Sequence, residues 1–318
     1  MSSIAIPEKP SPTNWVHRLK ASWRHYNRHG DLVAAIIAIA PALLVFGVFN
    51  IYPTLYSAYL SLVEWDGLSV ARKFVGFQNY QELFSSNLVV NSLGVTAYYT
   101  AGVILVSVPL ALLISVALNS GIHGQTFYRT LYFLPVVTAT VAASVVWKLM
   151  LDPGSGLLNV ALRGIGIADA PSWLRSPTWA MPAVILVGVW KRLGFNMVIY
   201  LAALQNIPRE YYEAAQVDGA SGWARLRYIT IPLLSPTTAL LVVMGLIDSF
   251  LLFDQVYVMT NGGPSGATDV LGFVLYRYAF RYFDLGKASA IAMVILVIVG
   301  AFTFVQWRLS NFGTKEAS

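Results

Sequence analysis

Long apolar runs alternate with short polar stretches along this 318-residue chain. A helix needs about 20 mainly apolar residues to cross the hydrocarbon core of a bilayer. Six runs approach that length: Leu32–Ile51, Leu93–Leu118, Leu131–Leu151, Trp179–Leu204, Thr238–Val258 and Ala288–Phe304. The second and fourth are long enough to tilt or bend. Pro135 and Pro182 fall near the starts of the third and fourth runs, where a missing N–H costs little. About thirty mostly polar residues precede the first run, too many for the charged start of a signal peptide. The first run is therefore expected to remain as an anchor. The pattern predicts an all-α polytopic membrane protein with six transmembrane helices.

Composition agrees. Hydrophobic residues make up 57% of the chain and charged residues 11%, whereas soluble domains carry about 25% charged residues. Mean hydropathy is +0.62. The net charge of +6 raises the question of nucleic acid. About a third of the basic residues, however, lie in the first thirty positions and at Arg209–Arg227, beside apolar runs, as a positive-inside bias places them. With the N-terminus inside, the inner segments hold eleven Lys and Arg against seven outside. That difference, led by the first segment, predicts both termini in the cytoplasm. There is no cysteine, so no disulfide or thiolate site exists. His17, His25, His29 and His123 lie outside the apolar runs, which argues against a histidine metal centre in the membrane. Trp147, Trp173, Trp179 and Tyr257 fall near the outer interface. No repeat relates the two halves of the chain, unlike many inverted-repeat transporters.

The polar stretch between the fourth and fifth runs has a helix–turn–helix pattern. Pro208 suits a first helical position. Arg209 and Glu213 are spaced to pair on one face, and Tyr211, Ala214 and Ala215 make a narrow face of small residues. Asp218-Gly219 supplies a left-handed helix stop. Trp223, Leu226 and Ile229 give a second short apolar face, and Pro232 breaks the segment before the fifth run. Two readings fit this pattern: an amphipathic hairpin lying on lipid headgroups, with Arg225 and Arg227 toward them, or a helix that docks on a partner.

Glu213-Ala214-Ala215, then Gly219, then Ile229-Thr230-Ile231-Pro232 resembles the "EAA" loop of binding-protein-dependent ABC importer permeases, with Ile231 where leucine is common. Phe74-Val75-Gly76-Phe77-Gln78-Asn79-Tyr80, Gly156-Leu157-Leu158-Asn159 and Thr260-Asn261-Gly262-Gly263-Pro264 resemble the maltose-permease-like sugar branch, first permease type. The resemblance covers most of residues 32–308. It implies a permease domain over 32–308 with the coupling loop at 208–232, between a cytoplasmic segment 1–31 and a cytoplasmic tail 309–318, in a bacterial inner membrane. It further implies a second homologous permease, a cytoplasmic ATPase dimer and an extracytoplasmic solute-binding protein as partners, with a carbohydrate as solute. Glu213, Ala214, Ala215, Asp218, Gly219 and Pro232 are then the coupling residues. The chain is not expected to be an enzyme or to hold a cofactor; ATP and Mg belong to the ATPase. Consistent with this, no phosphate-binding Gly-x4-Gly-Lys-Ser/Thr occurs, and Gly286-Lys287-Ala288 lacks both the earlier glycine and the hydroxyl.

Ionisable residues inside spans are costly and usually face a cavity or a partner. Lys191, Arg192 and Asp248 fall at similar depth in the fourth and fifth runs. Asp254 lies further out, and Lys148 is placed to snorkel. With Gly188, Phe195, Gly245 and Ser249, the residues Lys191, Arg192 and Asp248 form stripes suited to a sugar, which wants hydrogen bonds at its hydroxyls and stacking on its faces. A structural ion pair and a pathway for an anionic sugar derivative are the two other readings. An ion-coupled transporter and an integral-membrane transferase are the competing classes. The second needs clustered acidic or histidine ligands, and the only close acidic group is Glu210, Glu213 and Asp218 in the loop already assigned.

Overall fold

The computed structural model describes residues 28–167 and 169–313, with side chains from 36 to 308. The sequence-predicted N-terminal segment up to residue 27, with His17 and His25, and the tail from residue 314 lie outside the described residues. The chain divides into two units, Met1–Tyr56 and Ser57–Ser318.

The first unit is helix α1 (Arg28–Phe46), a π-helical turn at Gly47–Ile51, and the start of α2 (Tyr52–Leu60). Pro53 has no N–H for the carbonyl one turn earlier, and the widened turn just before it avoids the ring clash that a regular helix would suffer. The helix thus begins before Leu32 and continues past Ile51, with Ile36–Leu60 apolar enough to cross a membrane.

The second unit opens with a small antiparallel hairpin, β1 (Val63–Glu64) and β2 (Lys73–Phe74), with Val63 opposite Phe74. Helix α3 (Gln78–Ser85) follows, then α4 (Asn87–Asn119), α5 (Gln125–Val137), α6 (Thr140–Met150), α7 (Leu157–Gly164) and α8 (Pro177–Gln205). Next come α9 (Arg209–Val217), α10 (Gly222–Arg225), a π-helical turn at Leu226–Thr230, and α11 (Ile231–Leu233). The remainder is α12 (Ser235–Phe250), α13 (Asp254–Met259), α14 (Leu271–Tyr276), a π-helical turn at Arg277–Arg281, and α15 (Leu285–Gly313).

Among the described residues, four helices are long and apolar enough to cross a membrane: Ile36–Leu60, α4, α8 and Leu285–Arg308. Two bent pairs, α5 with α6 at 101° and Gly222–Leu233 with α12 at 64°, make the number six if each counts as one span. The sequence-predicted third span is therefore not one continuous helix. Pro135 sits near the end of α5, two residues before the break, and not near a span start. The predicted fifth span stops at Phe250, and Asp254 begins the separate helix α13.

Lipid tails are as apolar as leucine, so hydrophobic transfer does not drive these helices together. Close packing and interhelical hydrogen bonds do. Ser115 Oγ donates to the Met197 carbonyl at 2.9 Å, and Asn196 Nδ2 donates to Ser107 Oγ at 3.2 Å, tying α4 to α8. The Leu271 amide donates to Thr96 Oγ1 at 2.8 Å, tying α14 to α4. A Cβ on Gly194 would lie 2.0 Å from the Tyr132 carbonyl oxygen, so only glycine permits α5 this close to α8.

The three stretches that resemble sugar permeases are staples. Buried Asn79 donates to the Ser61 and Val63 carbonyls at 2.9 and 3.0 Å, fixing α3 on the hairpin. Buried Asn159 donates to the Pro153 and Pro171 carbonyls and accepts from Trp173 Nε1 at 2.7 Å. At Thr260–Pro264, Gly262 has φ +85° and leaves room for the Asp269 carboxylate, which a Cβ would meet at 2.0 Å and which pairs with Arg277 at 2.6 Å. Lys148 Nζ donates to the Val258 carbonyl at 3.1 Å, so it ties α6 to the C-terminal turn of α13 as well as lying near a helix end.

Candidate functional site

Helices α4, α8 and α12, the α5–α6 break and the start of α13 surround a cavity of about 410 Å³. Gly188, Lys191, Arg192, Phe195, Asp248 and Ser249 all line it. The sequence-predicted residues of α8 and α12 thus meet in one place. Gly245 does not reach the lining. It is the contact point between α12 and its neighbours, where a Cβ would meet Ile104 at 3.0 Å and Arg192 Nε at 3.4 Å. Ser249 lines the wall, but its hydroxyl donates to its own helix, to the Gly245 carbonyl at 2.7 Å.

The three charges separate into two arrangements. Arg192 Nη1 pairs with Asp248 Oδ2, and Arg192 Nη2 donates to the Leu241 carbonyl at 3.4 Å. The arginine side chain is 10% exposed and the aspartate 67%, so the pair presents its carboxylate to the cavity. Lys191 takes no part in that pair. Its ammonium donates to the Thr138 carbonyl at 2.6 Å and the Pro135 carbonyl at 3.2 Å. Those carbonyls belong to the C-terminal end of α5, where the helix stops and its last acceptors lack intrahelical partners. A cation there also meets the negative end of the helix dipole. The pairing of Lys191 with Asp248 considered from sequence is therefore replaced by a helix cap.

Tyr99, Thr140 and Gln255 also line the cavity and were not legible as site residues. The Tyr99 hydroxyl lies over Gly188, where a Cβ would approach it to 2.4 Å. Gln255 Nε2 donates to the Val184 carbonyl at 2.5 Å, joining α13 to α8.

The segment between α8 and α12 folds as the expected hairpin. The amide of Ala220 donates to the Ala215 carbonyl at 2.8 Å, and that of Gly219 to the Gln216 carbonyl at 3.1 Å. With Gly219 at φ +75°, this is a glycine helix stop of the Schellman type. Ser221 caps the second arm by accepting from the Ala224 amide at 3.2 Å. The Tyr212 hydroxyl meets Thr230 Oγ1 at 3.0 Å and ties the arms together. Pro232 does not stop the helix where it stands. The backbone widens into the π-helical turn Leu226–Thr230 just before it and bends after Leu233. Arg209 and Glu213 form no ion pair among the described residues. No residue of α9 is buried. Val217 is 88% exposed and Trp223 67%, while Leu226 and Ile229 are half-buried.

A family model described as binding-protein-dependent transport system inner membrane component matches residues 107–308. The probable ABC transporter permease YesP of Bacillus subtilis is 36% identical over 286 residues, 89% of this chain and 92% of that protein. The lactose transport system permease LacF of Rhizobium radiobacter is 34% identical, over 89% of this chain and 94% of that one. Among solved structures, a bacterial alginate ABC transporter in complex with alginate pentasaccharide-bound periplasmic protein superposes with a TM-score of 0.78. The match has 25% identity and covers 92% of this chain and 98% of that one.

Proposed function

The chain belongs to the family of inner membrane components of binding-protein-dependent transport systems, and from that premise we propose that it carries a saccharide across the membrane, driven through the hairpin at residues 209–233. It is a permease subunit with membrane-spanning helices. Lactose and alginate, named for two of the similar proteins, make a carbohydrate the solute class best supported.

The exposed hairpin carries the proposal. A helix with no buried residue, an exposed Trp223 and a rigid glycine stop is a preformed docking element. Glu213, Ala214 and Ala215 make its first arm, with Glu213 and Ala214 exposed. Asp218 and Gly219 set its turn, and Pro232 lies just before the bend into α12. The partner in this reading is a cytoplasmic ATPase on a separate subunit, which holds ATP and Mg. In this reading the hairpin and both termini face the cytoplasm, which the eleven-to-seven Lys and Arg count supports. A second permease and an extracytoplasmic binding protein complete the assembly.

ATPase movement pushes the hairpin, the α11–α12 bend transmits the push to the span that carries Asp248, and the cavity opens alternately to each side. Along that route the solute meets the Asp248 carboxylate and the Tyr99 hydroxyl as hydrogen-bond partners and Phe195 as a face. No bond is made or broken by this chain.

The test is uptake into proteoliposomes holding the complex that co-purifies with the tagged chain. Uptake is expected to need internal ATP and to be indifferent to ionophores. Uptake that persists without ATP and collapses with an ion gradient would replace this reading with an ion-coupled transporter.

A further inference from the structure

Three ionisable side chains line the cavity, two basic and one acidic. Arg192 and Asp248 neutralise one another. Lys191 has no carboxylate partner, only two backbone carbonyls. An ammonium has three N–H donors, so one is left for the cavity. A helix C-terminus supplies about half a negative charge, so part of the lysine charge stays uncompensated. A net positive wall at membrane depth is expensive unless something negative completes it.

We propose that the solute is an acidic saccharide, with its carboxylate or phosphate at the Lys191 ammonium and its hydroxyls at Asp248 and Tyr99. This rests on the saccharide pathway above and narrows it. The two ends of the site have separate tasks. Arg192 sits behind Asp248, so an incoming anion finds no free guanidinium there and is directed to the other wall. Asp248 keeps one carboxylate oxygen, Oδ1, outside its pair with Arg192, and that oxygen accepts from hydroxyls. Lys191 is fixed at the α5–α6 break beside Val136 and Thr140, and its remaining N–H marks the anionic end. Bound solute then offsets the positive charge left on the Lys191 wall.

The absence of cysteine makes a direct test possible. Thr140→Cys, next to the lysine end, is reacted with anionic ethylsulfonate and cationic ethyltrimethylammonium methanethiosulfonates in the co-purified complex. Rates are read on this chain by mass spectrometry and divided by those for free mercaptoethanol. One unit charge within ~10 Å at an effective dielectric near 20 changes local ion concentration by about tenfold. The corrected rate is expected to favour the anionic reagent by about that factor, to lose the preference in Lys191→Met, and to keep it in Lys191→Arg. A preference for the cation, or one indifferent to Lys191→Met, overturns the proposal while leaving ATP-driven transport intact. No reaction with either reagent, at Thr140→Cys or at Met244→Cys, removes the cavity as a water-filled pathway and the proposal with it. Protection of Thr140→Cys by digalacturonate assigns a carboxylate and protection by glycerol 3-phosphate assigns a phosphate. Protection by maltose alone overturns the acidic class.

Discussion

Removing either partner of the Arg192–Asp248 pair should have unequal consequences, and the structure says which is worse. Asp248→Ala leaves a guanidinium that is 10% exposed with one long bond, 3.4 Å to the Leu241 carbonyl, and with Nε already lacking a partner. Truncating one member of a buried pair costs about 3–5 kcal/mol. The vacated aspartate position opens to the cavity and admits some water, which lowers the expected cost to about 2–3 kcal/mol. Arg192→Met instead leaves a carboxylate that is 67% exposed, and water can solvate it. The lost pair is then worth no more than an exposed one, below about 1 kcal/mol, and methionine keeps much of the aliphatic packing. The double variant should recover part of the Asp248→Ala loss, because no unpaired charge remains. Reversible unfolding in mixed micelles, followed by circular dichroism, measures all three. Equal losses, or a larger loss for Arg192→Met, would refute the reasoning from burial.

Gly194→Ala places a methyl 2.0 Å from the Tyr132 carbonyl oxygen and 3.0 Å from Phe133 Cα, both backbone atoms. It should cost about 1–3 kcal/mol as overpacking, seen as a lower unfolding temperature, whereas Gly300→Ala, with nothing within 4 Å, should be neutral or mildly stabilising. Gly219→Val forces a β-branched residue to φ +75° at an exposed turn. Membrane insertion should be normal, while solute moved per ATP hydrolysed falls several-fold; an unchanged ratio counts against the hairpin as coupling element. Backbone amides of Ser69 and Leu68 hold the Asp66 carboxyl below its ordinary value of 3.8. Its contribution to the 66–69 turn is therefore complete above that value and is lost as pH falls through the lower folded-state value. A carbon-13 titration of Asp66 with its midpoint at or above 3.8 would contradict the turn.

Much of this architecture is legible in the sequence because the bilayer imposes a length on apolar runs. The four unbroken spans follow from that alone. The glycine stop at Gly219 is legible because a left-handed residue after a short helix is a local requirement. The break at 138–139 is not. Thr138-Ala139-Thr140 carries no strong breaker, and the chain bends where the Lys191 cap and the close approach of Gly194 to α5 hold it. The division of labour between Lys191 and Arg192 had a signal in the sequence. Adjacent residues on a helix point about 100° apart, so two neighbouring cations rarely serve one carboxylate. Tyr99, Thr140 and Gln255 had no such signal, because their place in the cavity depends on how α4, α6 and α13 pack against α8 and α12. The three family-like stretches were legible as patterns, but what they do, bonding buried Asn79 and Asn159 to loop carbonyls and packing Gly262 beside the Asp269–Arg277 pair, required the fold.

The hairpin either docks on an ATPase or lies on lipid, and a photo-reactive benzoylphenylalanine at Val217, the most exposed apolar position of the hairpin at 88%, separates the two most directly. Illumination of native membranes should link this chain to a single cytoplasmic protein that hydrolyses ATP and co-purifies with the tag, and the link should weaken in Glu213→Ala. Adducts with lipid alone, in membranes where ATP-driven uptake is intact, would contradict coupling through residues 209–233.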